Sequence, residues 1–417
     1  MEILKFPSLI AGVSASISTF VRSLPFPALF AAICFGFAGC AAPDAGVANR
    51  AEPLRIGFRA PSERATEDDA AAALPKGGPN DVARFLAGMS NRARDDFQKT
   101  STWKNHTGEM DVRWNRAEGR LAPIRSFRRT QLGGFGRGHV FYPFGGPDFL
   151  YADAFFPNAG TYALVGLESI GNIPDLSGLT ETQIATSLRG LQTSISSSLD
   201  YSYFLTKDMR LDLARTNLKG VLPVLYVYLA RTGHRIHSVD KVHITSSGII
   251  GAGHSGSAPG VRLSCSGCTV YYFKTNLSNS GSGRFQRYMA NHRSGTTFIK
   301  SASYLMHNGN FSNIRSSIMK NSAVVLQDAS GIPYRYYKSA GWNTVMFGNY
   351  QRTLDLFKSY YQADLRAAYT AASPKPLRFG VGYTFTPSET CLILAKPGGA
   401  VSASAELYEV RPAIAIE

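Results

Sequence analysis

Apolar and polar positions change rhythm several times along the chain. Residues 24–39, LPFPALFAAICFGFAG, form an uncharged apolar run behind Arg22. Residues 43–80 mix Ala, Pro, Gly and charge with little to bury, which predicts a flexible tether over 41–80. From 81 onward the composition supports folding. Asp81 is placed to cap a helix beginning at Val82. Trp103, Met110, Trp114, Leu121 and Phe127 then recur at spacings of 7, 4, 7 and 6, compatible with one helical face. Residues 81–132 therefore read as a helical lead-in.

The rhythm then shortens. Residues 139–144 read as a buried strand, Gly145-Gly146-Pro147-Asp148 as a turn, 149–156 as a short helix and 161–167 as a second strand ending at Glu168. Such a unit favours parallel strands and a right-handed crossover. Helices are expected over 180–199 and 206–232, and strands over 234–245 and 260–275, with a Gly/Ser-rich loop at 246–259. A second unit follows: a strand over 296–306, a helix over 311–321 with Ile314 and Ile318 on one face, and a strand over 323–327 ending at Asp328. A long helix over 345–372 and a hairpin of 377–385 with 391–395 complete the pattern. Alternating β and α elements indicate an α/β fold, in one domain over 81–417. The expected form is a mostly parallel sheet with helices on both faces, an antiparallel C-terminal hairpin and a helical N-terminal extension.

Over 139–395 this layout resembles the Rossmann-like architecture of class I methyltransferases. In that family the first strand runs into a glycine-containing turn and a helix, the second ends in an acidic residue that binds a ribose, and the sheet finishes in an antiparallel hairpin. The resemblance implies Gly145 and Gly146 as the ligand-binding turn, Glu168 as the acidic residue and 377–395 as the hairpin. The turn departs from the three spaced glycines of a usual nucleotide loop, and Pro147 removes a backbone donor. The string FYPFGGPDFLYADAFFPNAGTYALVGLE, residues 141–168, also resembles a group of bacterial secreted proteins to which no activity is attached.

The N-terminus changes what this fold is expected to do. A positive flank, an apolar core and small residues before a cut mark a secretory signal. Here the run ends in Phe37-Ala38-Gly39-Cys40, which resembles the lipobox of bacterial lipoproteins. The resemblance implies cleavage before Cys40, a lipid on that cysteine and, with Ala41 next, the periplasmic face of the outer membrane. The methyltransferase cofactor, S-adenosylmethionine, is cytoplasmic. An exported chain of this layout has therefore lost it or serves another ligand, and the cofactor stays open.

The whole chain carries a net charge of +15. Outside the cytoplasm a basic surface meets anionic headgroups or acidic polymers, and nucleic acid is not an expected partner. With Cys34 in the signal and Cys40 lipidated, Cys265, Cys268 and Cys391 remain. Cys265 and Cys268 flank a Ser-Gly turn between strand-like runs, where they form either a small disulfide or a free pair. Strand flanks argue against a redox motif, which normally opens a helix. The eight histidines show no recognised metal spacing.

Ligands of open α/β sheets bind at the carboxyl ends of strands. On this layout those ends carry Asp148, Glu168, His307 and Asp328 as candidate acid–base residues, with Gly145, Gly146, Lys300 and Arg335 as candidate ligand contacts. Against this, Asp148 equally suits a helix cap and Asp328 a turn. Ser255 lies in a loop without Gly-x-Ser-x-Gly spacing, and Ser317 sits mid-helix, so serine chemistry is disfavoured. Three readings follow. The first is a lipid-anchored envelope protein binding a small anionic or polar ligand. The second is an envelope hydrolase or transferase, and the third a basic scaffold for an acidic polymer or protein.

Overall fold

The computed structural model describes residues 77–398, except 202–212, 214, 215 and 385. Cys40 and residues 41–76 of the expected tether lie outside these residues, while Pro79 and Asn80 at its end belong to the first helix; of the helix expected over 206–232, residues 206–212, 214 and 215 lie outside and 222–231 are helical. In chain order the helices are α1 (Pro79–Leu86), α2 (Ser101–Phe127), α3 (Phe149–Phe155), α4 (Glu181–Tyr201), α5 (Leu222–Arg231), α6 (Arg284–Asn291), α7 (Ser312–Asn321), α8 (Tyr334–Ser339) and α9 (Ala363–Ala372). The strands are β1 (His139–Tyr142), β2 (Thr161–Gly166), β3 (Ile236–Ile244), β4 (Ile250–Ala252), β5 (Pro259–Cys265), β6 (Cys268–Lys274), β7 (Gly295–Ile299), β8 (Ser322–Gln327), β9 (Asn343–Gly348) and β10 (Cys391–Lys396).

Contacts group the chain into two compact units. One comprises the described residues within 1–111, 171–197 and 204–237; the other comprises those within 112–170, 198–203 and 238–417. The first is mainly helical. Helix α1 starts at Pro79, two residues before Asp81, because Pro is preorganised for the first helical position. Asp81 does not cap the helix; its carboxylate accepts the Gly77 N–H at 2.9 Å. Helix α5 is buried from Leu222 through Ala230. Arg231 at its end donates to the Ala87 carbonyl and pairs with Asp111 at 2.6 Å.

The second unit makes the fold α/β. Its sheet has ten strands in the order β4-β3-β5-β6-β2-β1-β7-β8-β10-β9. Strands β6, β2, β1, β7 and β8 are mutually parallel. Antiparallel pairs lie on both sides: β3 with β4, β5 with β6, and β10 with both β8 and β9. The sheet is thus mixed, and the expectation of a mostly parallel one is corrected.

Side chains alternate across the sheet. Phe141, Ala163, Val165, Phe273, Ile299, Val325 and Ile393 share one face. There they join a core with Phe285 and Tyr288 of α6, Ile314 and Ile318 of α7, Tyr337 of α8 and Leu365 and Tyr369 of α9. On the other face, Tyr162 meets Phe149 of α3 at 5.0 Å between ring centroids, Phe298 meets Phe155 of α3 at 5.0 Å, and Phe347 meets Phe127 of α2 at 4.9 Å.

Three C-terminal expectations are overturned. The helix expected over 345–372 is instead β9, a 3-10 segment at Asp355–Tyr360 and α9. Short apolar runs suit either state, and here pairing with β10 decides. Gly348 ends β9 at φ +77°, with the Thr390 carbonyl oxygen 2.1 Å from where a Cβ would stand, so only glycine fits. No strand forms over 377–384 among the described residues, so the hairpin with 391–395 is absent; β10 is held by β8 and β9. Third, the strand expected over 296–306 stops at Ile299, because Ser301, Ser303 and Tyr304 take left-handed backbone at φ 53°, 51° and 55°.

Candidate functional site

Strands β2, β1, β7 and β8 are parallel, so their carboxyl ends lie on one sheet edge. Three polar clusters occupy it.

The first follows β1. Past Tyr142 the chain turns through Phe144 at φ 65° and Gly146 at φ 59°. Gly145 lies against the Tyr142 ring, which would stand 2.5 Å from a Cβ there. Asp148 caps α3 by accepting the Tyr151 N–H at 3.3 Å. The same carboxylate accepts the Tyr142 hydroxyl at 2.8 Å and the Lys300 ammonium at 2.9 Å. The Lys300 and Asp148 side chains are each 2 % exposed, and the ammonium lies 4.4 Å from the Tyr151 ring centroid. Burial and the adjacent Asp148 charge push the Tyr142 phenol well above its ordinary range. Asp148 is therefore both the helix cap and the counter-ion of a buried lysine.

The second cluster follows β2. The buried Glu168 carboxylate accepts the Tyr272 hydroxyl at 2.8 Å, and that hydroxyl also lies 3.0 Å from the Glu168 carbonyl. A Cβ on Gly166 would stand 2.0 Å from the carboxylate, so this glycine makes the fold-back possible. Gly146 borders the same carboxylate, and its N–H donates to the Val165 carbonyl at 3.0 Å, tying the turn after β1 to the end of β2.

The third cluster follows β7 and β8. The Asp328 carboxylate accepts the Ser301 N–H at 2.8 Å, the Ser330 N–H at 2.9 Å and the Ser330 hydroxyl. Ser330 Oγ accepts the Ala302 N–H at 2.7 Å, and the Tyr383 hydroxyl donates to the Ser301 carbonyl at 2.8 Å. These bonds hold the left-handed segment in place, a kind of backbone strain that concentrates at binding sites. Asp328, Ser330, Tyr304, Tyr383, Arg352 and Cys391 line a cleft of about 20 Å³, room for a water-sized group. Burial raises the Asp328 carboxyl, while its hydrogen bonds and the Lys300 charge oppose the rise. Burial pushes the Cys391 thiol up to about 12, so it is not a nucleophile at neutral pH.

The structure thus brings Asp148 to Lys300, Gly146 to Glu168, and Asp328 within electrostatic reach of Lys300. His307 and Arg335 lie further along. His307 ends a 3-10 turn, its ring 5.1 Å from Tyr304 and hydrogen-bonded by the Ala329 backbone. Arg335 is exposed on α8 and does not touch the carboxylates; its guanidinium lies over Tyr336. Tyr142, Tyr272, Gly166, Ser301, Ser330 and Tyr383 are additions that sequence reasoning missed. Only their place at strand ends hinted at them.

Cys265 and Cys268 are opposite one another in the β5–β6 register, as the Ser-Gly turn predicts, but no disulfide joins the two buried side chains. Among the described residues no three His, Cys, Asp or Glu side chains form a metal-binding group, and no helix is long and apolar enough to cross a membrane. Compared with known proteins, the sequence matches no family model and no curated protein.

Proposed function

We propose that this chain is a lipid-anchored cell-envelope protein, held through Cys40 to the periplasmic face of the outer membrane, that binds a small anionic or polar ligand at the carboxyl ends of its parallel strands. One observation carries the reading. Glu168, the Asp148–Lys300 pair and Asp328 follow in order along a single sheet edge, at the ends of β2, β1, β7 and β8. The sheet runs from β1 through β2 to β6 on one side, and from β7 to β8 on the other. Such a switch point is where open α/β sheets bind ligands.

The Rossmann-like, methyltransferase-type layout draws support from the same order. With β3, β4 and β5 set aside, the strands stand third, second, first, fourth, fifth, seventh and sixth, and the seventh, β10, is antiparallel to both neighbours. The residues do not fit that family's nucleotide cofactor. The space left by Gly166 is taken by the Glu168 carboxylate, itself bound to Tyr272 and bordering Gly146, and Pro147 offers no N–H.

Binding is favoured over catalysis because Asp148 and Glu168 are already engaged by tyrosine hydroxyls, Asp148 also by Lys300. Asp328 favours the second reading, a hydrolase or transferase. It lines the cleft, and burial raises its pKa toward the range of a general acid–base. A thermal-shift screen of the full chain against small anionic and polar compounds tests both, since a native-state ligand raises Tm. The binding reading expects Asp328→Asn to abolish the response to a hit, with Asp240→Asn on β3 leaving it intact. The enzyme reading expects Asp328→Asn to keep binding and lose turnover. A hit bound and processed equally well by Asp328→Asn would remove the strand-end site.

A further inference from the structure

We propose that His307, Arg315 and Arg335 form a site for a phosphate-type oxyanion beside the Asp328 cleft. The site rests on the strand-end reading only for its place at the ends of β7 and β8.

Arg315 on α7 is 7 % exposed, yet no carboxylate pairs with it among the described residues. Its guanidinium makes a single protein hydrogen bond, to the Met306 carbonyl, and stacks 4.0 Å from the Tyr336 ring centroid. Arg335 on α8 brings a second guanidinium to 5.0 Å from the same centroid, and it too has no acidic partner among the described residues. Burying an unpaired cation is costly, and two like charges on one ring repel. The third group is His307. Its Nε2 is buried and bonds to nothing, while the other side of the ring is taken by Ala329. Desolvation, Arg335 and Arg315 together hold the imidazole down to about 4, so it is neutral at pH 7. The remaining groups facing the ring are the side chains of Tyr304 and Tyr360.

A bound oxyanion turns each of these costs into an attraction. Guanidinium groups donate paired N–H bonds to phosphate oxygens. A flat carboxylate is satisfied by one arginine, whereas a phosphate carries about −1.5 to −2 charge and three acceptor oxygens, matching two guanidiniums and the imidazolium that forms when His307 Nε2 takes up a proton. The oxyanion comes either from a free phosphate compound or from a lipid headgroup.

The test uses the full chain in non-ionic detergent with 13C-labelled histidine, the His307 signal being the one lost in His307→Gln. Inorganic phosphate is titrated against chloride at fixed ionic strength. The expected result is saturable binding that moves the His307 titration midpoint up toward its ordinary value near 6.5. Arg335→Gln, an exposed change that spares the core, should weaken phosphate binding about tenfold or more, the scale of a lost charge-assisted hydrogen bond. Vesicles of phosphatidic acid in phosphatidylcholine distinguish the source. The same His307 response to them supports a lipid headgroup, and a response to phosphate alone supports a small molecule. A His307 signal unmoved by phosphate beyond chloride overturns the site, as does an Arg335→Gln variant that binds phosphate like wild type. Either failure leaves the Asp328 screen standing, and failure of that screen leaves the His307 titration to be read separately.

Discussion

At the scale of single residues, the buried histidines respond most directly to their surroundings. His106 is 3 % exposed; its Nε2 donates to the Leu86 carbonyl and its Nδ1 accepts from the Gln192 amide, both at 2.9 Å. That neutral tautomer is fully satisfied. A proton on Nδ1 would face the Gln192 NH2 group. Desolvation, with a smaller push from Arg231, lowers the imidazole to about 4 against 6.5 in the unfolded chain. Its contribution to stability is therefore complete above pH about 6.5 and disappears as pH falls through about 4. The gap corresponds to roughly 3 kcal/mol. His106→Gln should flatten the fall in Tm between those pH values, and an unchanged Tm–pH profile would show that His106 does not drive it. Nothing in the local sequence around His106 marks it as buried, because Leu86 and Gln192 come from distant segments.

Between elements, the Lys300–Asp148 pair joins the end of β7 to the start of α3. Both side chains are buried, so removing one partner strands the other charge in the interior. Lys300→Met should cost about 3–5 kcal/mol in urea unfolding, the range for breaking a buried ion pair. The double variant Lys300→Met, Asp148→Leu should recover part of that loss. Independent, additive losses would mean that the two charges do not stabilise one another. The sequence placed Asp148 at a helix start, which holds, whereas Lys300 fell inside the strand expected over 296–306 and stands directly after β7 because that strand stops at Ile299. Their union was not visible, since it depends on β1 and β7 being neighbours although more than 150 residues separate them. The same limit explains the misread C-terminus. Residues 343–348 become a strand because β10 lies beside them, a contact that no local period encodes.

At the scale of the whole molecule, the proposal turns on where the chain resides. Growth of an expressing bacterium with labelled palmitate should mark the protein, and Cys40→Ser should abolish the label and release the chain from the membrane fraction. Label retained in Cys40→Ser would refute lipidation at that residue. Export would also set the redox state around Cys265 and Cys268. Their side chains stand opposite one another across β5 and β6, and the hydrogen bond with Cys268 together with burial holds the Cys265 thiol well above its ordinary range.

What the sequence determined by itself was local. Apolar period, turn residues and caps identified an α/β chain, the unit from β1 through α3 to β2, and the polar groups closing β1, β2 and β8. These depend on neighbours within a few residues. Only the tertiary structure decided that the sheet is mixed, that β9 exists, and which groups meet: Glu168 with Tyr272, Asp328 with Ser301, and Arg315 and Arg335 each with the Tyr336 ring. Strand order and side-chain encounters are set by packing between segments far apart in the chain, where burial fixes the ionisation and hydrogen bonding of each group.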